Sequence, residues 1–230
     1  MSIADNLLQI GERMRIAAER AGREPSSVRL VAVSKTQPAE AVAAAVAAGQ
    51  GLFGENYVQE FLDKARQLPD SIEWHFIGSL QSNKVKYLAG HTSLIHSVDR
   101  ISLAREIDRQ WEKSGTNCDI LLQVNISGEE TKSGTTTAGV IELAREAAAL
   151  PHLRIRGLMT MPPFYDEPER ARPYFRELRR LAEHIEAEKI PGVVMEELSM
   201  GMSGDFEVAI EEGATLVRVG SAIFGERYYH

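Results

Sequence analysis

The chain has 230 residues, which suits one large α/β domain or two small ones and is ample for a sizeable core. Its composition, 43% apolar and 26% charged, is that of a soluble globular protein. A formal net charge of −7, without any long basic run, argues against nucleic acid or an anionic membrane as the main partner. The lone cysteine, Cys118, precludes an intrachain disulfide and suits a reducing cytoplasm. Residues 1–11 lack the basic-then-apolar pattern of a signal peptide, and the longest Ala/Val run, residues 41–48, is too short to span a bilayer. A cytoplasmic protein is expected.

Ile3, Leu7, Ile10, Met14, Ala17 and Ala21 recur at spacings of four and three. They form one apolar stripe of a helix within residues 1–22, which Gly22 can end. Strand-like and helix-like segments then alternate. Residues 28–34, 52–54, 73–77, 94–98, 120–125, 155–159, 196–199 and 216–219 read as strands. Residues 38–48, 57–68, 83–88, 100–111, 137–150, 173–187 and 205–211 read as helices, and a last short helix opens at Ser221. Pro38 opens the first of these, where a missing N–H does no harm. Asp99 is the expected N-cap of the helix 100–111.

Eight strands, each followed by a helix, demand a parallel sheet. The fold class is therefore α/β: a single (β/α)₈ TIM barrel over residues 1–230 with an extra N-terminal helix, slightly shorter than the usual ~250 residues. An open doubly wound sheet is the alternative, but no Gly-x-Gly-x-x-Gly follows the first strand.

Barrel active sites gather at the carboxyl ends of the strands. Lys35 stands there after the apolar run Leu30 to Val33. A lysine at that place is either a solvated end-of-strand charge or a partly desolvated amine, whose lowered pKa makes it a Schiff-base nucleophile. The ends of the last two strands carry Ser199-Met200-Gly201-Met202-Ser203-Gly204 and Gly220-Ser221. These are ordinary turn and cap residues, but barrels commonly bind phosphate at this corner, against the N-terminus of a short helix. Arg218 interrupts the last strand. It either points outward to a helix carboxylate, or points into the barrel mouth, where it needs an acceptor such as a pyridine nitrogen. His75 and His96 read as hydrogen-bonded core histidines, and Lys84, Lys86 and Lys132 as solvated loop charges. No metal-ligand spacing and no Gly-x-Ser-x-Gly elbow occurs.

Six blocks, in order, carry a resemblance: Val31-Ala32-Val33-Ser34-Lys35-Thr36, Phe53-Gly54-Glu55-Asn56-Tyr57-Val58-Gln59-Glu60, Trp74-His75-Phe76-Ile77-Gly78-Ser79-Leu80-Gln81-Ser82-Asn83-Lys84, Gly157-Leu158-Met159-Thr160-Met161, Leu198-Ser199-Met200-Gly201-Met202-Ser203 and Val217-Arg218-Val219-Gly220. Together they resemble the YggS/PROSC family of pyridoxal phosphate homeostasis proteins over essentially the whole chain. The resemblance implies a barrel related to the N-terminal domain of alanine racemases, with pyridoxal 5′-phosphate (PLP) held as a Schiff base on the lysine matching Lys35. It implies that Ser199, Met200, Gly220 and Ser221 lie on the phosphate side, that Arg218 meets the pyridine nitrogen, and that Asn56 lines the site.

A PLP carrier is expected: a non-catalytic, monomeric protein that binds, buffers and delivers the cofactor, with apo PLP-dependent enzymes as candidate recipients. The alternative is a PLP-dependent amino-acid racemase. By the resemblance, such racemases add a β-rich domain and a tyrosine from a partner subunit, whereas eleven residues follow the last strand here, Tyr228 and Tyr229 among them. A cofactor-free Schiff-base aldolase is a third reading, and it leaves the phosphate corner and Arg218 without a shared ligand.

Overall fold

A computed structural model describes residues 2–129 and 131–225; Tyr228 and Tyr229 lie outside the described residues. α1 (Ile3–Arg20) precedes all strands. Eight units follow: β1 (Arg29–Val33) and α2 (Ala39–Ala47), β2 (Leu52–Glu55) and α3 (Val58–Ala65), β3 (Glu73–Phe76) and a 3₁₀ helix (Ser82–Tyr87), β4 (Leu94–Val98) and α4 (Ile101–Ser114), β5 (Cys118–Gln123) and α5 (Val140–Ala148), β6 (Leu153–Met159) and α6 (Arg172–Ala187), β7 (Val193–Ser199) and α7 (Phe206–Glu211), β8 (Leu216–Val219) and α8 (Ser221–Phe224). Every strand is parallel to its neighbours, and β8 pairs with β1 to close the barrel. The (β/α)₈ architecture expected from the alternation is the one observed.

The strand parity explains where the side chains go. Successive residues of a strand point to opposite faces. In β8, Leu216 faces the barrel interior with Val31, Leu52, Leu94, Leu121 and Met159, while Val217 and Val219 face the helices. Arg218 therefore shares the inward parity of Leu216. By the same rule His75 follows the outward Trp74, and His96 the outward Ile95. Both faces of the sheet are dry, which is why the strands read as near-continuous apolar runs.

α1 closes one side of the molecule. It starts at a capping box, in which the Ser2 hydroxyl accepts from Asp5 N at 3.1 Å and Ser2 N donates to Asp5 Oδ2 at 2.9 Å. Its buried stripe, Ile10, Met14, Ala17 and Ala18, packs toward α7, α8 and α2. The Asn6 amide donates to the Ile223 carbonyl at 2.8 Å, tying α1 to α8 at the site end of the barrel.

The short helix expected at 83–88 is present as the 3₁₀ helix Ser82–Tyr87. Two local expectations are corrected. Asp99 does not cap α4: the N-cap position is Arg100, and the Asp99 carboxylate instead accepts from the Arg100 guanidinium at 2.6 Å. β5, β6 and β7 begin at Cys118, Leu153 and Val193, earlier than the apolar runs suggest, because their first residues already pair with neighbouring strands. Asn125 lies beyond β5, where its Oδ1 accepts from Gly128 N at 3.0 Å in a local turn.

The packing between β6 and β7 yields a test. A Cβ on Gly157 would stand 1.8 Å from the Glu197 carbonyl oxygen, whereas Gly11, exposed within α1, has open space around it. Gly157→Ala is expected to lower Tm by roughly 5–10 °C, the effect of overpacking in a chain of this size. Gly11→Ala is expected to raise it by about 2–4 °C through helix propensity. A calorimetric scan in which Gly157→Ala melts like the unaltered protein contradicts the close approach of these strands.

Candidate functional site

At the carboxyl ends of β1, β2, β7 and β8 lies a cavity of about 260 Å³, lined among others by Lys35, Asn56, Ser203, Gly204, Asp205, Arg218, Gly220 and Ser221. Barrel closure is what brings these residues together. Arg218 stands opposite Val31 in the β8–β1 pairing, four residues before Lys35. Lys35 is half-buried.

Two glycines shape the walls. A Cβ on Gly78 would meet the Asn56 carbonyl oxygen at 2.2 Å, so the loop after β3 can press against Asn56 only without a side chain. Gly201 has φ +92°, and its carbonyl accepts from Arg218 N at 2.9 Å. This left-handed residue, open to glycine at low cost, folds the loop after β7 back over β8. It thereby brings Ser203 to the mouth, where the Ser203 hydroxyl accepts from Gly220 N at 3.2 Å and Ala222 N at 3.5 Å. Asp205 accepts from Met202 N at 2.7 Å, and burial pushes its carboxyl above the usual range.

Arg218 is 4% exposed, and a buried guanidinium needs acceptors. It donates to the Thr160 carbonyl at 3.0 Å and to the Ser199 hydroxyl. From Ser199 a chain of hydrogen bonds crosses the barrel: His96 Nδ1 lies 2.8 Å from Ser199 Oγ, His96 Nε2 lies 2.9 Å from His75 Nδ1, and His75 Nε2 lies 3.0 Å from Glu73 Oε1. The chain has one consistent polarity. The Glu73 carboxylate, held below its ordinary pKa chiefly by its hydrogen bond to His75, can only accept, so with neutral rings every donor points toward it, and the Ser199 hydroxyl, which accepts from Arg218, gives its own proton to His96 Nδ1. His96 then donates from Nε2 to His75, and His75 from Nε2 to Glu73. Both rings are neutral in this arrangement. Burial pushes the His96 pKa well below its ordinary value, and that of His75 down as well. Burial also lowers Arg218, to about 10, which leaves it cationic at neutral pH.

The structure thus brings Lys35, Asn56, Arg218, Gly220 and Ser221 to one cavity. Ser199 and Met200 stand elsewhere. Ser199 is buried beneath Arg218, and Met200, with the opposite parity, is buried among the helices. Ser203, Gly204 and Asp205 take the cavity wall instead. Ser203 was legible as a second hydroxyl in the same loop, just ahead of a helix, but nothing in the sequence ranked it above Ser199.

The site can take a small molecule with three kinds of group. A primary amine, a buried donor-only cation and a cup of hydroxyl and backbone N–H groups converge on it. Asn56 Oδ1 is buried without a hydrogen-bond partner among the described residues, so the wall still offers an acceptor. This donor and acceptor set fits PLP, which carries an aldehyde, a pyridine nitrogen, a phenolic hydroxyl and a phosphate. Among the described residues no group of three His, Cys, Asp or Glu could hold a metal ion, and no helix is long and apolar enough to cross a membrane.

Comparison with known proteins agrees. Residues 6–228 match the family model described as alanine racemase, N-terminal domain. A pyridoxal phosphate homeostasis protein of Aquifex aeolicus is 48% identical over 230 residues, covering 100% of both chains. That of Escherichia coli K12 is 45% identical over 231 residues, covering 99% of this chain and 97% of its own. The structure of PipY from Synechococcus elongatus with PLP bound superposes with a TM-score of 0.84 at 36% identity, covering 97% of this chain and 100% of PipY. The chain belongs to the pyridoxal phosphate homeostasis protein family, within the wider family of the alanine racemase N-terminal domain.

Proposed function

We propose that this protein binds PLP at Lys35 and serves its intracellular homeostasis, holding and releasing the cofactor rather than using it on a dedicated substrate. The observation that carries this reading is the convergence of Lys35, Asn56, Arg218 and the Ser203–Gly220–Ser221 cup on one cavity. The relatives named above support it.

When bound, the cofactor supplies an aldehyde that condenses with a primary amine and a ring that can draw in electrons. Lys35 provides the amine. Ser203 and Ser221 provide hydroxyls, and Gly204 and Ser221 backbone N–H groups, for the phosphate, the kind of charge-assisted contact that binds anions strongly, while Gly220 N holds the Ser203 hydroxyl at the wall. Arg218 provides a donor for the pyridine nitrogen. A guanidinium keeps its own proton there, whereas a carboxylate would share one. The electron sink is then weak, which favours storage over catalysis.

The racemase alternative needs an acid/base group on each face of the substrate. Tyr165 is the cavity-lining hydroxyl that could supply the second. It is tied to Tyr174 at 2.9 Å and stacked under Arg170, which argues for a wall rather than a mobile acid.

Three measurements test this reading. First, borohydride reduction of the PLP-loaded protein, followed by peptide mass analysis, is expected to place the pyridoxyl group on Lys35; a main adduct on another lysine overturns the assignment. Second, exchange of the α-hydrogen of alanine with solvent deuterium is expected to stay well below ordinary enzyme rates, roughly 1 s⁻¹. A faster exchange that needs both Lys35 and Tyr165 promotes the racemase. Third, nitrogen-15 spectra of labelled histidines are expected to show His75 and His96 neutral at pH 7, with the proton on Nε2, and to titrate below the ordinary histidine value of ~6.5. The folded rings resist protonation that the unfolded chain accepts near its ordinary value of ~6.5, so stability is present above that pH and falls below it. A titration midpoint near 6.5 for either ring breaks the proposed polarity and frees Arg218 from its role.

A further inference from the structure

We propose that Glu60, backed by the buried pair Glu55 and Lys64, is a positioning residue that aims the Lys35 amine through the turn on which Lys35 sits. This rests on the reading that Lys35 binds the cofactor. Ser34, Lys35, Thr36 and Gln37 form a four-residue turn closed by Gln37 N donating to the Ser34 carbonyl at 3.0 Å. Thr36, the third residue of that turn, has φ +64°. A positive φ at that position with a negative one before it is the pattern of a type II turn, which calls for glycine or asparagine there. A β-branched threonine is strained in this region, and such strain persists only where the surroundings over-determine it.

The surroundings here are α3 and the end of β2, and they grip the chain on both sides of Lys35. After it, Thr36 N donates to Glu60 Oε2 at 2.7 Å. Before it, Lys64 Nζ donates to the Ser34 carbonyl at 2.6 Å, and the Ser34 hydroxyl donates to Glu55 Oε1 at 2.7 Å. The two sides are joined, because Lys64 Nζ also reaches Glu55 Oε1 at 2.5 Å and Glu60 Oε2 at 3.3 Å. Glu55 is fully buried and Lys64 is 5% exposed. A dry ion pair is costly to build, and here Lys64 donates to the Ser34 carbonyl and Glu55 accepts from the Ser34 hydroxyl, so the pair is tied to the residue before Lys35. The Glu60 side chain is 33% exposed. Removing it strands no buried charge, whereas removing Glu55 or Lys64 does.

The test is a double-substitution cycle on the full chain: Glu60→Ala, Thr36→Gly, both together, and Glu60→Gln, which keeps an acceptor for Thr36 N but not the charge. Two quantities are read, the equilibrium affinity for PLP by its visible band and the acylation rate of Lys35 by mass spectrometry without PLP. Glu60→Ala is expected to weaken PLP binding about tenfold, the left-handed cost for an L-residue expressed as an equilibrium constant. It is expected to change the Lys35 acylation rate as well. In the Thr36→Gly background the same substitution is expected to cost less than about threefold, because glycine holds the turn unaided. Glu60→Gln is expected to resemble the unaltered protein. An equal loss with and without Thr36→Gly means that Glu60 acts by charge alone and overturns the proposal, as does a Glu60→Ala protein with unchanged affinity and acylation. If the unaltered protein takes no PLP on Lys35, the function proposed above falls, and the acylation rates still decide whether Glu60 positions the amine.

Discussion

The pairing of β8 with β1 is the constraint on which the site depends. It closes the sheet, and it sets Arg218 beside Val31, four residues before Lys35. A residue from the end of the chain and one from its beginning thereby share a cavity. The cup reaches the same cavity because β7 pairs with β8, and because Gly201 turns the following loop back onto Arg218. Without closure, the Lys35 side of the cavity and the Arg218 side would not meet.

Closure also creates a problem that the interior solves. A TIM barrel core is normally packed with apolar layers, and six apolar side chains do form such a cluster here. An arginine with inward parity cannot join it unpaired. Ser199, His96 and His75 carry its hydrogen bonding across the interior to Glu73 at the opposite mouth, where the carboxylate is half-exposed. The two histidines are thus core residues and, at the same time, the support of Arg218.

Most of the architecture was legible in the sequence because eight apolar runs spaced by amphipathic helices admit few closed parallel sheets. Lys35 and Asn56 were legible because a strand end places a residue at the mouth whatever its parity. Arg218 was harder. Both of its neighbours, Val217 and Val219, are apolar, and with both faces of the sheet dry the alternation carries no signal for in or out. Met200 shows the same limit in reverse. It adjoins Ser199, yet one step along the strand turns it to the helix side. The Asp99 cap failed because an adjacent arginine claimed its carboxylate. The grip on Lys35 had only a faint trace, Glu60 and Lys64 at helical spacing, and its partner Glu55 lies on a strand whose distance from α3 is a matter of tertiary packing.

These features bear on what the protein does with a ligand so firmly addressed. A carboxylate at the ring nitrogen would be simpler to build than a dry arginine, which here rests on Thr160, Ser199, His96, His75 and Glu73. It would also make the bound ring a stronger electron sink. In the proposed function, the arginine with its support would do the opposite, donating to the ring nitrogen while leaving the ring a milder sink. The binding groups are likewise spread among separate loops, with the amine on the turn after β1 and the anion cup after β7 and β8. Loops are the more mobile parts of a barrel, and in the function proposed here those contacts would have to loosen for the cofactor to leave. Firm recognition combined with weak activation is the balance a cofactor store requires.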